Sequence, residues 1–290
     1  WITITLVTYV RTDKIFWITT SIIRGLIIVK FSLGALYSWH ILRSTRSNAK
    51  TTPSIMRMTC YNKGKDGIKN TLDSLCKQEY NYKLIVVICD REITRPGNKK
   101  TIPEIVLNLC DFDQETEPKT YVSLAHEAKR CNKARMYAGH YHVEEEQKED
   151  RQDGAVNHGT RVIVISKCRD PTETEKTGNR GKRDNQVILM SFFSKIIHGH
   201  EMSELDMELH QKMKLLMPHM DPNDFEYILM ADVDTTVKPD ALPVIINVIE
   251  TDRNVIGVCG ETTMENEFET WVTMIQVFEY YISSYLSKDI

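Results

Sequence analysis

KLIVVIC, Lys83–Cys89, is six apolar residues in a row behind one lysine. A run this short and this continuous suits a strand covered on both faces, as in a parallel sheet, better than a strand with one wet face. Working outward, Ile55–Cys60 reads as a preceding strand, Gly67–Gln78 as the helix between them, and Thr101–Cys110 as a following helix. Further strands are expected at RVIVIS from Arg161, YILMA from Tyr227 and VIGVCG from Val255, with helices at Gln186–Gly199 and Glu204–Met217. Strands alternating with helices predict a wound α/β sheet. VEEEQKEDRQDG, Val143–Gly154, is charged throughout without an apolar period and reads as a solvated loop.

In ADVDTTVKPD, Ala231–Asp240, an apolar strand runs straight into two acids one position apart. Ligands of open α/β sheets bind beyond the carboxyl ends of strands, and this is such an end. Asp232 and Asp234 offer paired oxygen ligands suited to Mg2+ or Mn2+. The competing reading is an acidic turn ahead of a helix, with Asp240 as cap. GNRGKRDNQ, Gly178–Gln186, packs Arg180, Lys182 and Arg183 around two glycines before a helix, and either meets a diphosphate or forms a basic surface turn. TCYNKGKD, Thr59–Asp66, ends the first strand, and Asp90 ends the next; an aromatic ring and an adjacent acid can cradle a nucleobase and its imide edge. The pairs His140/His142 and His198/His200 diverge on a helix and read as ordinary polar residues.

With 37 basic and 40 acidic residues and a net charge of -3, the chain lacks the basic excess of a nucleic-acid partner. Its seven cysteines are widely spaced without a C-x-x-C pair, which argues against a structural zinc site and a disulfide scaffold and predicts that most are reduced thiols in the core. Ile15–Leu42 is apolar over more than the ~20 residues that cross a bilayer core, but contains Arg24 and Lys30. Those cations must snorkel, face a partner helix or place the stretch at the interface, where Trp17, Tyr37 and Trp39 are also at home; a soluble helix is the alternative. Two parts are therefore expected: residues 1–50, a hydrophobic membrane-associated helical segment, and 51–290, an α/β domain.

Taken in order, CYNKGKDGIKNTLDSL, KLIVVICDREITRPGNKKTIPEIVL, AKRCNKARMYAGHY, TGNRGKRDNQVILMSFF and YILMADVDTTVKPDAL resemble the fungal-type chitin synthase family, in its class with a DAD-type metal motif. GVCGETTMENEFETWVTMIQVFEYYISSYLSK, Gly257–Lys288, resembles that family's long signature. The resemblance implies a GT-A (Rossmann-like) glycosyltransferase domain, a mostly parallel sheet with helices on both faces. It implies transfer of N-acetylglucosamine from UDP-N-acetylglucosamine to a β-1,4-linked chitin oligomer with inversion, using Mg2+ or Mn2+. It further implies a plasma-membrane or secretory-vesicle location with this domain facing the cytoplasm. By the same likeness Tyr61 and Asp90 contact uridine, Lys182 and Arg183 lie near the diphosphate, and Asp232 and Asp234 hold ribose and metal. Glu261 lines the donor pocket, and Trp271–Tyr285 forms a helix beneath the site.

Several positions depart from the family pattern. Lys63 and Lys65 stand where acids are usual, Arg91 where glycine is usual, and Val233 in place of a small residue. The resemblance stops ahead of the family's acidic pair and Q-x-x-R-W motif, so no general base is assigned, and the chain is expected to be a fragment carrying the donor and metal half only. A non-catalytic UDP-sugar-binding or scaffolding domain and a hyaluronan- or cellulose-type synthase are the alternatives.

Overall fold

The computed structural model describes residues 14–30, 32–33, 52–60, 64–90, 100–112, 116–124, 130–143, 159–168, 181–252, 254–260 and 262–282. The chain divides into two compact units, Ala49–Ile246 with Cys259–Ile290, and Trp1–Asn48 with Asn247–Val258.

The larger unit is organised by a sheet of seven strands: β1 (Ser54–Cys60), β2 (Lys83–Cys89), β3 (Asp111–Phe112), β4 (Lys119–Val122), β5 (Cys131–Tyr141), β6 (Thr160–Lys167) and β7 (Tyr227–Asp232). Their order is β3-β5-β6-β2-β1-β7, with β4 also paired to β5. The four strands β6, β2, β1 and β7 are mutually parallel. β5 runs antiparallel to β6, β3 and β4. The mostly parallel sheet is as expected; the antiparallel β5 is not, and its composition explains why. Along its first half, buried Asn132, Ala134 and Met136 alternate with exposed Cys131, Lys133 and Arg135, so it carries no apolar run.

Successive side chains of a strand point to opposite faces, and here both faces are dry. Met56, Met58, Ile85 and Val87 pack with Ile68, Leu72 and Leu75 of α2 (Lys65–Cys76), Ile105 of α3 (Ile102–Leu107), and Leu242 and Ile246 of α6 (Ala241–Thr251). Ile55, Leu84, Val86, Ile88, Ile163 and Ile165 pack with Leu189 and Phe192 of α4 (Lys182–His198), and with Leu205 and Leu209 of α5 (Glu204–Leu216). Each such side chain, fully buried, contributes roughly 1.5–3 kcal/mol of transfer free energy. The cysteines are free thiols; five are buried, while Cys131 and Cys259 are exposed. The hydrogen bond to Cys89 and burial push the Cys60 thiol well up, which leaves it an inert core group.

Three boundaries differ from the sequence reading. α4 starts at Lys182 rather than Gln186, so Lys182 and Arg183 lie in its first turn and not in a loop. The apolar residues 255–260 form no strand, and Ile256 and Val258 are exposed; Gly257 and Gly260 weaken that run. The acidic stretch lies outside the described residues after Val143, which is buried. The signature helix is present as α7 (Trp271–Ile282).

In the smaller unit, residues 14–30 are helical (α1). The hydroxyls of Thr19 and Thr20 donate back to the carbonyls of Ile15 and Phe16, so the helix satisfies its own polar side chains there. Phe16, Trp17, Leu26 and Ile28 are each more than 60% exposed. No described helix is long and apolar enough to cross a membrane.

Candidate functional site

The carboxyl ends of β1, β2, β6 and β7 are aligned by register: Thr59 lies beside Asp232, Cys60 beside Cys89, and Cys89 beside Ser166. One residue further, Lys167 ends β6 and Asp90 follows β2. There the Lys167 ammonium donates to Asp90 Oδ1 at 2.9 Å and to Asp184 Oδ2 at 2.6 Å, with all three side chains buried. Asp184, in the first turn of α4, also accepts from the Tyr121 hydroxyl at 3.1 Å and the Leu124 N–H at 2.9 Å, and Asn132 donates to Tyr121. A buried ammonium with two carboxylates, of which Asp184 is further hydrogen-bonded, ties the sheet edge to the helix that carries Lys182 and Arg183. The N-cap of that helix is Gly181, whose φ of 85° belongs to glycine's region.

Asp232 is the last residue of β7 and Asp234 stands in the turn beyond it, both exposed. Between them Val233 turns inward and is 4% exposed, packed in the core that includes Ile68 and Leu72. Its carbonyl accepts from Thr71 Oγ1 at 2.9 Å. Ser74 takes the Val237 N–H, while Gln78 donates to the Lys238 carbonyl and accepts from the Leu242 N–H. Thr71, Ser74 and Gln78 are spaced three and four apart, so they form one polar stripe that clamps the whole segment from α2 onward. Val233, larger than the usual middle residue, adds a core anchor to the acidic turn. At the N-terminus of α6 the Leu242 N–H is taken by Gln78, which ties the helix start to the same stripe.

Above this turn, Lys182 Nζ donates to Asp232 Oδ2 at 2.6 Å, with side-chain exposures of 58% and 49%. The basic cluster and the acidic strand end, fifty residues apart, are thus one place. Two cations in the first turn of α4 oppose the helix dipole, which favours anions there. Local preference broken in this way is a mark of a site. Beneath it Arg57, 1% exposed, lies beside Met230, two residues before Asp232 along β7, and its Nε and Nη1 meet no partner among the described residues. Burial lowers the proton affinity of Arg57, and the charge of Asp232 partly offsets that. Thr59 Oγ1 and both amide atoms of Asn185 are likewise buried and unpartnered.

The sequence-predicted residues Lys182 and Asp232 are brought into contact, Asp234 is in the adjoining turn, and Arg183 is exposed one residue along α4. Asp90 is 1% exposed and engaged by Lys167. Tyr61, Lys63, Arg91 and Glu261 lie outside the described residues. Lys167, Asp184, Tyr121 and Arg57 escaped the sequence reading. The signal available was a cation within or at the end of an otherwise apolar strand, SIMRMTC and TRVIVISK, where an unpaired charge is too costly to bury.

The donor set can be weighed against a divalent cation. Two carboxylates on an exposed turn are hard oxygen ligands of the kind that share Mg2+ or Mn2+ with substrate phosphates. No group of three or more His, Cys, Asp or Glu side chains that could hold a metal occurs among the described residues.

A family model described as chitin synthase matches residues 6–290. Chitin synthase 1 of Encephalitozoon cuniculi is 59% identical over 290 residues, covering 95% of this chain and 36% of that protein. Chitin synthase 3 of Saccharomyces cerevisiae is 40% identical over 243 residues, covering 81% of this chain and 20% of that protein. Chitin synthase 4 of Cryptococcus neoformans is 39% identical over 238 residues, covering 81% and 18%. The chain thus spans about a third of the first of these relatives and about a fifth of the others.

Proposed function

The chain belongs to the chitin synthase family, and we propose that it supplies the donor- and metal-binding half of a transferase that extends β-1,4-linked chitin from UDP-N-acetylglucosamine with inversion. The observation that carries this reading is the 2.6 Å contact of Lys182 with Asp232 at the carboxyl edge of a parallel sheet. An acidic ligand pair beside cations is what a metal-bound diphosphate needs.

In this reading Lys182 and Arg183 meet the diphosphate through side-chain charge, Asp232 reaches ribose and metal, and Asp234 completes the carboxylate pair. Asp90 and Tyr61 address the uridine, Asp90 from a fixed position because Lys167 holds one of its oxygens, and Glu261 lines the sugar side. A bound Mg2+ or Mn2+ would offset the charge on the departing diphosphate. The chain's own residues grip and orient the donor, and the clamp from Thr71, Ser74 and Gln78 keeps the acidic turn from shifting during that work. The chitin oligomer is the acceptor. The exposed apolar surface of α1 supports association with a plasma or secretory-vesicle membrane, the sheet domain facing the cytoplasm.

Calorimetric titration of UDP, with and without Mn2+, into the 290-residue chain tests this. Metal-dependent binding that Asp234→Ala abolishes is expected. Absence of binding under both conditions, or binding indifferent to metal and to Asp234→Ala, overturns the reading.

A further inference from the structure

We infer that Lys182 is a counter-ion gate on Asp232, holding the carboxylate while the site is empty and yielding it to a divalent cation when a diphosphate draws the ammonium away. The inference rests on the donor-site reading above and adds how the site's two ligands depend on each other.

The ammonium of Lys182 already sits on Asp232 Oδ2 at 2.6 Å, where a metal ion would have to bind. Lysine and cation therefore compete for one oxygen. The pair can open, because both side chains are about half exposed, and an ion pair in contact with water is held weakly. The flexible four-carbon stem of Lys182 can swing without moving α4.

Arg57 makes the exchange tolerable for the carboxylate. It is 1% exposed, fixed in the sheet beneath Asp232, and its Nε and Nη1 lack partners among the described residues. A cation thus stays below Asp232 whether or not Lys182 is present, and the strand end does not face Asp234 with bare like charge. Arg57 cannot itself compete for the outer face of the carboxylate, since it is buried in the sheet. The exposed cation leaves; the buried one remains.

The coupling follows. In the empty site a metal ion must displace Lys182 unaided. With a diphosphate present, the ammonium has a better anion, the metal gains the freed oxygen, and each ligand favours the other by the same factor.

The test is Mn2+ binding to the 290-residue chain, read from the paramagnetic resonance signal of free Mn2+, with and without UDP. Three proteins are compared: the native chain, Lys182→Met, and Lys238→Gln as a charge-matched control at an exposed cation beyond the acidic turn. Lys182→Met is expected to tighten Mn2+ binding without UDP by about fivefold or more, and to remove most of the enhancement by UDP. Lys238→Gln is expected to change the UDP-free affinity by less than about twofold, as a screened surface charge. If Lys182→Met leaves that affinity unchanged, or Lys238→Gln raises it equally, the gate is overturned while the site stands. If Mn2+ fails to bind even with UDP, or binds undiminished when Asp232→Asn and Asp234→Asn are combined, the donor-site reading falls and the gate with it.

Discussion

Lys167 and Asp184, seventeen residues apart in sequence, meet at 2.6 Å with side-chain exposures of 0% and 1%, and Asp90 accepts a second bond from the same ammonium. Removing one member of such a group leaves uncompensated buried charge, whereas removing all of them leaves none. Lys167→Met is therefore expected to cost about 3–5 kcal/mol in urea denaturation. Adding Asp90→Asn and Asp184→Asn to Lys167→Met should restore a substantial part of that loss. A triple variant no more stable than the single one would mean that Asp184 acts mainly through Tyr121 and Leu124.

Arg57 is the opposite case on the same face of the sheet. It is buried like Lys167, yet its Nε and Nη1 are unpartnered and desolvation lowers its proton affinity. The desolvation cost is incurred without the matching bonds. Arg57→Met, close in length, is expected to leave stability unchanged or to raise it by about 1 kcal/mol or more. A clear loss of stability would show that attraction to Asp232 outweighs that cost.

What the sequence made legible was whatever a continuous apolar run encodes. β1, β2 and β6 lie where those runs lie, because each strand is buried on both sides, and β7 follows its own run as a half-buried edge strand. The antiparallel β5 was missed, since its buried side carries Asn132 and Ala134 while Lys133 and Arg135 face outward. At the site, the acidic strand end and the basic cluster were legible as motifs, but their contact was not: Lys182 and Asp232 are joined by the packing of α4 across the sheet, which no local spacing records. Lys167 shows the same limit. Its charge was visible at the end of RVIVISK, while its partners come from β2 and α4.

Gly139 tests how tightly β5 is held to β3. It pairs with Phe112, and a Cβ at this position would run into the Asp111 carbonyl and stand 2.8 Å from Phe112 Cδ1. The backbone neighbour cannot turn aside as a side chain could. Gly139→Ala is expected to cost about 1–3 kcal/mol by overpacking, and to raise amide exchange first at residues 111–112. Exchange that rises instead along β6, with residues 111–112 still protected, would show that the strain is relieved on the other side of β5.

Glu204 gives the fold one acid-sensitive joint. As the first residue of α5, it accepts from the Thr120 N–H at 2.9 Å and from the Thr120 hydroxyl at 2.7 Å, docking the helix on β4. Those bonds, the backbone one foremost, lower its proton affinity, and Lys119 and Lys133 add to the shift. With the native value below the unfolded one, the unfolded chain takes up the proton first as pH falls. The joint is thus fully stabilising above the unfolded carboxylate value, about 4.3, and is lost as pH drops through the lower native value. Glu204→Gln should accordingly be less stable than the native chain at pH 7, with the gap closing as pH falls below about 4. Urea midpoints of the two proteins measured across that range decide the point. A gap that stays constant into acid would mean that the carboxylate's charge plays no part in holding α5 to β4.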